Sequence, residues 1–268
     1  MSELPFAATT PISIGRVGLR AKNHEALAEY YRAVVGLEEL SRDGETITLG
    51  AAGRPLLVLE GDKALAQEDP RSAGLFHTAF LLPGRADLGR WLKFAMDKQI
   101  PVSGASDHRV SEAVYLTDPE GNGIEIYADR DPKQWVWNGS QVAMSTDRMN
   151  VRDVLASVPT GDAGWKSVPE NSIVGHVHLR VGDPLAAEEW WHRELGFATV
   201  AKYGRDAVFL SSGGYHHHIG ANAWQSRGAG QRPGETTGLS WVELVSKAPI
   251  ASSEKTDPWG ADIRLVSA

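Results

Sequence analysis

Apolar and polar positions along this chain change period repeatedly, and in the same order each time. Residues 14–40 (IGRVGLRAKNHEALAEYYRAVVGLEEL) and 174–200 (VGHVHLRVGDPLAAEEWWHRELGFATV) both open with a short strand-like run, turn, and continue with helical spacing. In the second copy Leu185, Trp190 and Leu195 are apolar, with Glu188, Glu189 and Arg193 between them, as an amphipathic helix requires. Asp183 is its predicted N-cap, Pro184 its first helical residue and Gly196 its stop. The first copy stops in the same way at Gly36.

Strands follow each helix: ETITLG and RPLLVLEG after the first, DAVFLSSGG and YHHHIGANAW after the second. A third copy starts at GLFHTAFLLPG (74–84), passes through the helix RADLGRWLKFAMDKQ and closes with EAVYLTDPEGNGIEIYAD. A fourth, shortened copy begins with GLSWVELVS (238–246) and ends in TDPWGADIRLVS, an echo of TDPEGNGIEIYA; its helix is missing or reduced to a loop. The pattern predicts an α+β chain of four βαβββ-like modules, the fourth truncated. In chain order it divides into residues 10–129 (modules one and two), a linker over 130–172 with a short helix near 151–158, and residues 173–268 (modules three and four). A single sheet with one helix cannot bury its own apolar face, so the modules must pair.

Composition narrows the chemistry. The 268 residues contain no cysteine, which excludes disulfides, thiolate nucleophiles and cysteine-held metals, so any metal must be bound by the nine histidines or by Asp and Glu. A net charge of −7 offers no basic footprint for nucleic acid or an anionic membrane. No apolar run reaches the roughly 18 residues that a membrane span needs, and the N-terminus lacks the pattern of a signal peptide. A cytoplasmic protein is the expectation, and Asn138-Gly139-Ser140, although a glycosylation sequon, reads as a turn.

Stacking the modules places Arg16, His77, His176 and Trp241 at equivalent points of the first strands, and Glu125 opposite Arg264 in the last strands. Modules two and three therefore keep His77, Glu125 and His176, while one and four carry groups unable to bind a cation there. Glu125 sits in the apolar strand GIEIY, where a buried charge is costly without a cation or a good partner. Two imidazoles and a carboxylate make the facial triad of non-haem Fe(II) sites. Completing it requires module two to face module three, leaving one and four to face each other. A lone buried histidine is more often a satisfied core residue, and the recurrence at one repeat position is what favours the ligand reading.

The stretch His108-Arg-Val-Ser-Glu-Ala-Val-Tyr115-Leu-Thr-Asp118-Pro-Glu-Gly121-Asn-Gly-Ile-Glu125 resembles the signature of extradiol ring-cleavage dioxygenases, members of the vicinal oxygen chelate superfamily. Ser106, two positions before the histidine, is a mild departure from it. The layout most resembles the catechol 2,3-dioxygenase type of bacilli, in which a YHHHIG-like stretch also occurs. The resemblance implies paired modules forming two half-barrel-like sheets. It also implies Fe(II), with Mn(II) as the alternative, held by His77, His176 and Glu125, and meta cleavage of a catechol-type ring by O2. It places the family's active-site tyrosine on Tyr115, the neighbouring histidine on His108 and the acid–base histidine on His217. Relatives often form oligomers, which makes self-association an expectation. In the commoner pattern modules three and four hold the metal; here Trp241 and Arg264 exclude the fourth.

If residues 215–218 form a strand, alternation turns His217 one way and His216 and His218 the other, as supporting, solvent-facing or interfacial groups. Trp190 and Trp191 are expected to straddle their helix, one inward and one at a surface or subunit contact; Trp224 and Arg227 are candidate pocket residues, and His24, His178 and His192 structural or exposed ones. Two other functions stay open. One keeps the metal for a glyoxalase-like lyase or isomerase, or for hydroquinone cleavage. The other is a metal-free module that binds a small aromatic or drug.

Overall fold

Each predicted change of period marks a real element in the computed structural model, which describes residues 4–268. Module one contributes β1 (Ile12–Ala21), α1 (His24–Tyr30), β2 (Glu38–Asp43), β3 (Thr46–Ala51) and β4 (Arg54–Gly61). Its helix continues through a π-turn over Tyr31–Val35 and ends at Gly36, whose φ of 83° is the left-handed stop expected there. Module two contributes β5 (Gly74–Leu82), α2 (Arg85–Asp97), β6 (Gly104–Asp107), β7 (Ser111–Thr117) and β8 (Gly123–Asp129).

The linker carries the hairpin β9 (Trp137–Asn138) and β10 (Gln141–Val142), then β11 (Asp147–Arg148) and α3 (Val151–Ala156). The sequon is the turn of that hairpin, with Gly139 at φ 64°. Module three supplies β12 (Ile173–Arg180), α4 (Pro184–Leu195), β13 (Ala198–Tyr203), β14 (Ala207–Ser211) and β15 (Ile219–Asn222). Module four supplies β16 (Gly238–Ser246), β17 (Ser253–Thr256) and β18 (Asp262–Ser267), with no helix between β16 and β17. Asp183 caps α4 by accepting the Leu185 amide at 3.0 Å.

Two curled sheets result. One runs β17-β18-β16-β1-β4-β3-β2 and unites modules four and one; the other runs β11-β6-β7-β8-β5-β12-β15-β14-β13 and unites two and three. Residues 10–129 and 173–268 thus each contribute strands to both sheets. The seams are antiparallel, β1 with β16 and β5 with β12. A shared apolar core contains Leu19, Phe80, Trp91, Val177 and Leu244, drawn from every module. The expectation that one of Trp190 and Trp191 lies at a surface fails: both are buried, packed ring to ring at 5.3 Å with Phe197 against the second. No helix of the described residues is long and apolar enough to cross a membrane.

Candidate metal centre

Register explains why residues far apart in the chain meet. Ala79 of β5 is the partner of Glu125 on parallel β8 and of His176 on antiparallel β12, so Glu125, Ala79 and His176 form one row across three strands. His77 lies two residues from Ala79 and shares its face. Ala79 is fully buried and too short to separate the longer side chains around it. His77 Nε2 lies 3.0 Å from Glu125 Oε2, His176 Nε2 lies 3.3 Å from the same oxygen, and the two histidine nitrogens are 3.3 Å apart. These three buried residues are the cluster of the described residues able to hold a metal ion.

The spacing suits an ion. Donors on adjacent octahedral corners, with bonds of about 2.1 Å, stand about 3.0 Å apart. Two neutral nitrogen donors and one carboxylate on a single face leave the opposite positions free, and that side opens onto a cavity of about 420 Å³.

All six predicted site residues, His77, His108, Tyr115, Glu125, His176 and His217, line this one cavity. Tyr115 extends the strand row, since it pairs with Glu125 across β7 and β8. His108 Nδ1 donates to the Ser145 carbonyl at 2.7 Å; its Nε2 is then the acceptor, and the Tyr115 hydroxyl donates to it at 2.5 Å. The hairpin that carries Tyr115 and Glu125 is pinned by Asp118. Its carboxylate accepts the Glu120 and Asn122 amides, both at 2.9 Å, and the Tyr31 hydroxyl at 3.0 Å. Asp257 plays the same part in module four, accepting the Trp259 and Ala261 amides at 2.9 and 2.8 Å.

The histidine triplet departs from the alternation expected of a strand. Gly213 and Gly214 both have left-handed φ (69° and 78°) and turn the chain so that β15 begins only at Ile219. His216 and His218 do not face solvent: each is fully buried. His218 is held between the Ala7 carbonyl (3.1 Å) and the Thr10 hydroxyl (3.2 Å). His217 alone reaches the cavity, with its ring centroid 4.1 Å from that of His176.

A model of the Glyoxalase/Bleomycin resistance protein/Dioxygenase superfamily matches residues 13–126. Catechol-2,3-dioxygenase of Bacillus subtilis (strain 168) is 39% identical over 237 residues, 87% of this chain and 82% of that relative. The chain belongs to this superfamily. Biphenyl-2,3-diol 1,2-dioxygenase 2 of Rhodococcus globerulus is 25% identical over 123 residues, 45% of this chain and 65% of its own. Glyoxalase I from Zea mays shares the fold at 12% identity, with a TM-score of 0.57 over 98% of this chain and 94% of its own.

In this superfamily member burial and close neighbours set the electrostatics of the site together. Burial pushes the Glu125 carboxyl up, but His176 and His77 beside it outweigh that and hold it well below the usual carboxylate range. Burial takes His176 down to about 4 against the pull of Glu125. His217 and His178 are lowered well below an ordinary imidazole, first by burial and then by neighbouring histidines. Burial, with Glu125 across the strand pair adding to it, raises the Tyr115 phenol well above its normal value.

Several cavity residues carry no sequence signal. His178 is buried and faces His77 across the seam, and its Nε2 has no partner among the described residues. Phe76 and Phe209 pack edge-on around His178 at 5.2 and 5.6 Å, together with Trp224 at 5.4 Å, the pocket candidate named from the sequence, which does line the cavity. Arg227 points elsewhere and pairs with Asp206. Met144 and Thr146, from the linker, also line the cavity, beside the Ser145 that orients His108. Hydrophobic periodicity does not mark such irregular segments.

Proposed function

We propose that the protein is an Fe(II)-dependent extradiol dioxygenase that opens a catechol-type ring next to its two hydroxyls, with both atoms of O2 entering the product. The observation that carries this reading is the convergence of His77, His176 and Glu125 on one face of an aromatic-walled cavity that also receives Tyr115, His108 and His217. Its occurrence in a chain 39% identical to a catechol-2,3-dioxygenase adds support.

His77, His176 and Glu125 would hold the ferrous ion, which when bound supplies the redox chemistry joining O2 to the ring. Glu125 balances only one of the ion's two positive charges, so the site favours an anionic catecholate. Tyr115 donates to His108 and keeps its oxygen lone pairs free to accept a hydrogen bond from the substrate hydroxyl. His217, kept neutral by its buried surroundings, is the proton acceptor for the second catechol hydroxyl and returns the proton as the ring opens. Phe76, Phe209 and Trp224 exclude water and pack the ring faces. A four-ligand lyase or isomerase site is less well served, because the cluster offers three ligand atoms.

The test is anaerobic reconstitution with Fe(II), then catechol and air, following O2 uptake and the visible absorbance of a ring-opened semialdehyde. The parent protein is expected to form this product and His176→Ala none. Bound iron without O2 uptake for any catechol would overturn the reading.

A further inference from the structure

Behind His217 lies a buried row of groups that the metal cluster does not need. His216 Nε2 stands 2.8 Å from Asp129 Oδ1, at the end of β8, and His216 Nδ1 stands 2.8 Å from His217 Nδ1. Two ring nitrogens at that separation share one proton. The carboxylate decides which of them carries it. Asp129 can only accept, so His216 donates from Nε2, and with one proton on the ring its Nδ1 is bare. His217 must therefore donate from its own Nδ1. Its remaining nitrogen, Nε2, has no hydrogen-bond partner among the described residues, and the ring lines the cavity.

We propose that Asp129 and His216 are positioning residues that hold His217 as its Nδ1–H tautomer, so that an unprotonated Nε2 faces the substrate. The assignment of a proton-accepting role to that nitrogen rests on the dioxygenase reading; the tautomer does not. When a catechol O–H breaks, its proton forms the new N–H bond at His217 Nε2. The resulting imidazolium keeps its donor bond to His216, with the Asp129 charge behind it. The proton leaves His217 again with the ring-opened product.

The surroundings fix the row in place. The Tyr215 ring lies 4.0 Å from His216 at 33°, and Trp135 closes the other approach at 5.1 Å. The Tyr215 hydroxyl also donates to Asp129 Oδ1 at 3.3 Å and accepts from the Tyr127 hydroxyl at 2.8 Å. Turning over the His216 ring would break both of its 2.8 Å contacts. Tyr127 reaches this position only because residue 175 is glycine: a Cβ there would meet the tyrosine hydroxyl at 1.9 Å.

Ring 15N–1H correlation spectra of the 15N-labelled wild-type protein without metal read the tautomers directly. His217 is expected to be protonated at Nδ1 and His216 at Nε2. His216→Phe keeps a ring but removes the acceptor; His217 should then lose its Nδ1–H preference, and kcat for catechol should fall about 100-fold with KM and bound iron unchanged. In His216→Asn the amide oxygen falls near the former Nδ1, and the tautomer and most of kcat should return. A wild-type His217 protonated at Nε2, or equal kcat in the Phe and Asn variants, overturns the proposal. If the wild type turns over no catechol, the spectra still decide it: an Nδ1–H signal keeps the row and removes only the dioxygenase reading. If His216→Phe does not fold, the wild-type and Asn spectra serve alone.

Discussion

The two sheets are built on one plan and finish their concave faces in opposite ways. In the sheet of modules two and three, the row Glu125–Ala79–His176 puts a small residue between a carboxylate and an imidazole, and the space beyond stays open. In the sheet of modules one and four, Arg264 pairs in register with Glu243, and Glu243 binds Arg16 through both carboxylate oxygens at 3.0 Å. Trp241, at the place of His77, lies between Arg16 and Arg264, 5.5 and 4.2 Å from their guanidinium carbons, and donates to Glu60 at 2.7 Å. Gly18 faces it across the seam where the other sheet has His178, and a Cβ there would touch the indole at 2.3 Å. One concave face satisfies its charges internally, while the other leaves donors converging on a gap. The fold tolerates both, so the chemistry depends on a few positions at the seam.

That contrast can be broken from either side. Removing the Glu125 charge with Glu125→Gln should abolish stoichiometric iron binding and lower turnover by at least about 1,000-fold, checked by metal analysis and O2 uptake. In the other sheet, Trp241→Ala should cost about 3 kcal/mol of stability in chemical denaturation through the cavity it leaves. It should leave turnover per bound iron unchanged, and a loss of turnover would mean the filled sheet also serves the reaction.

Acid should separate the two faces more gently. Buried His218 is held down at about 3, and His217 and His178 well below normal, so these rings stay neutral when folded and take up protons only on unfolding. Stability of the metal-free protein is then full above about pH 6.5 and declines as the pH falls towards 3. The Tm should drop by several degrees between pH 7 and 5, and a flat profile would contradict the buried neutral rings. The smallest effect belongs to Glu243→Gln: its partner Arg16 is about a third exposed, so the loss should stay within about 1 kcal/mol.

Repetition made most of this legible in the sequence. Comparing equivalent strands singled out His77, His176 and Glu125 and required modules two and three to adjoin, which is how the sheets are ordered. The histidine triplet was harder to read, because period-two reasoning presumes a strand and two left-handed glycines prevent one before Ile219. The parts of the cavity drawn from the linker, such as Ser145 behind His108, depend on tertiary contacts that leave no periodic trace. Asp129 escaped notice for a related reason: it is unremarkable alone, and only its 2.8 Å contact with His216 gives it meaning.

The seam between β5 and β12 also bears on how the protein comes into being. His77 and His176 are 99 positions apart, on strands of different modules that pair across the seam. A growing chain released only as far as module two would display Glu125 and His77 without their partner. The ion could be captured only once module three had emerged and docked. Metal uptake would then be a late step of biosynthesis, waiting on module three and fastening it to module two.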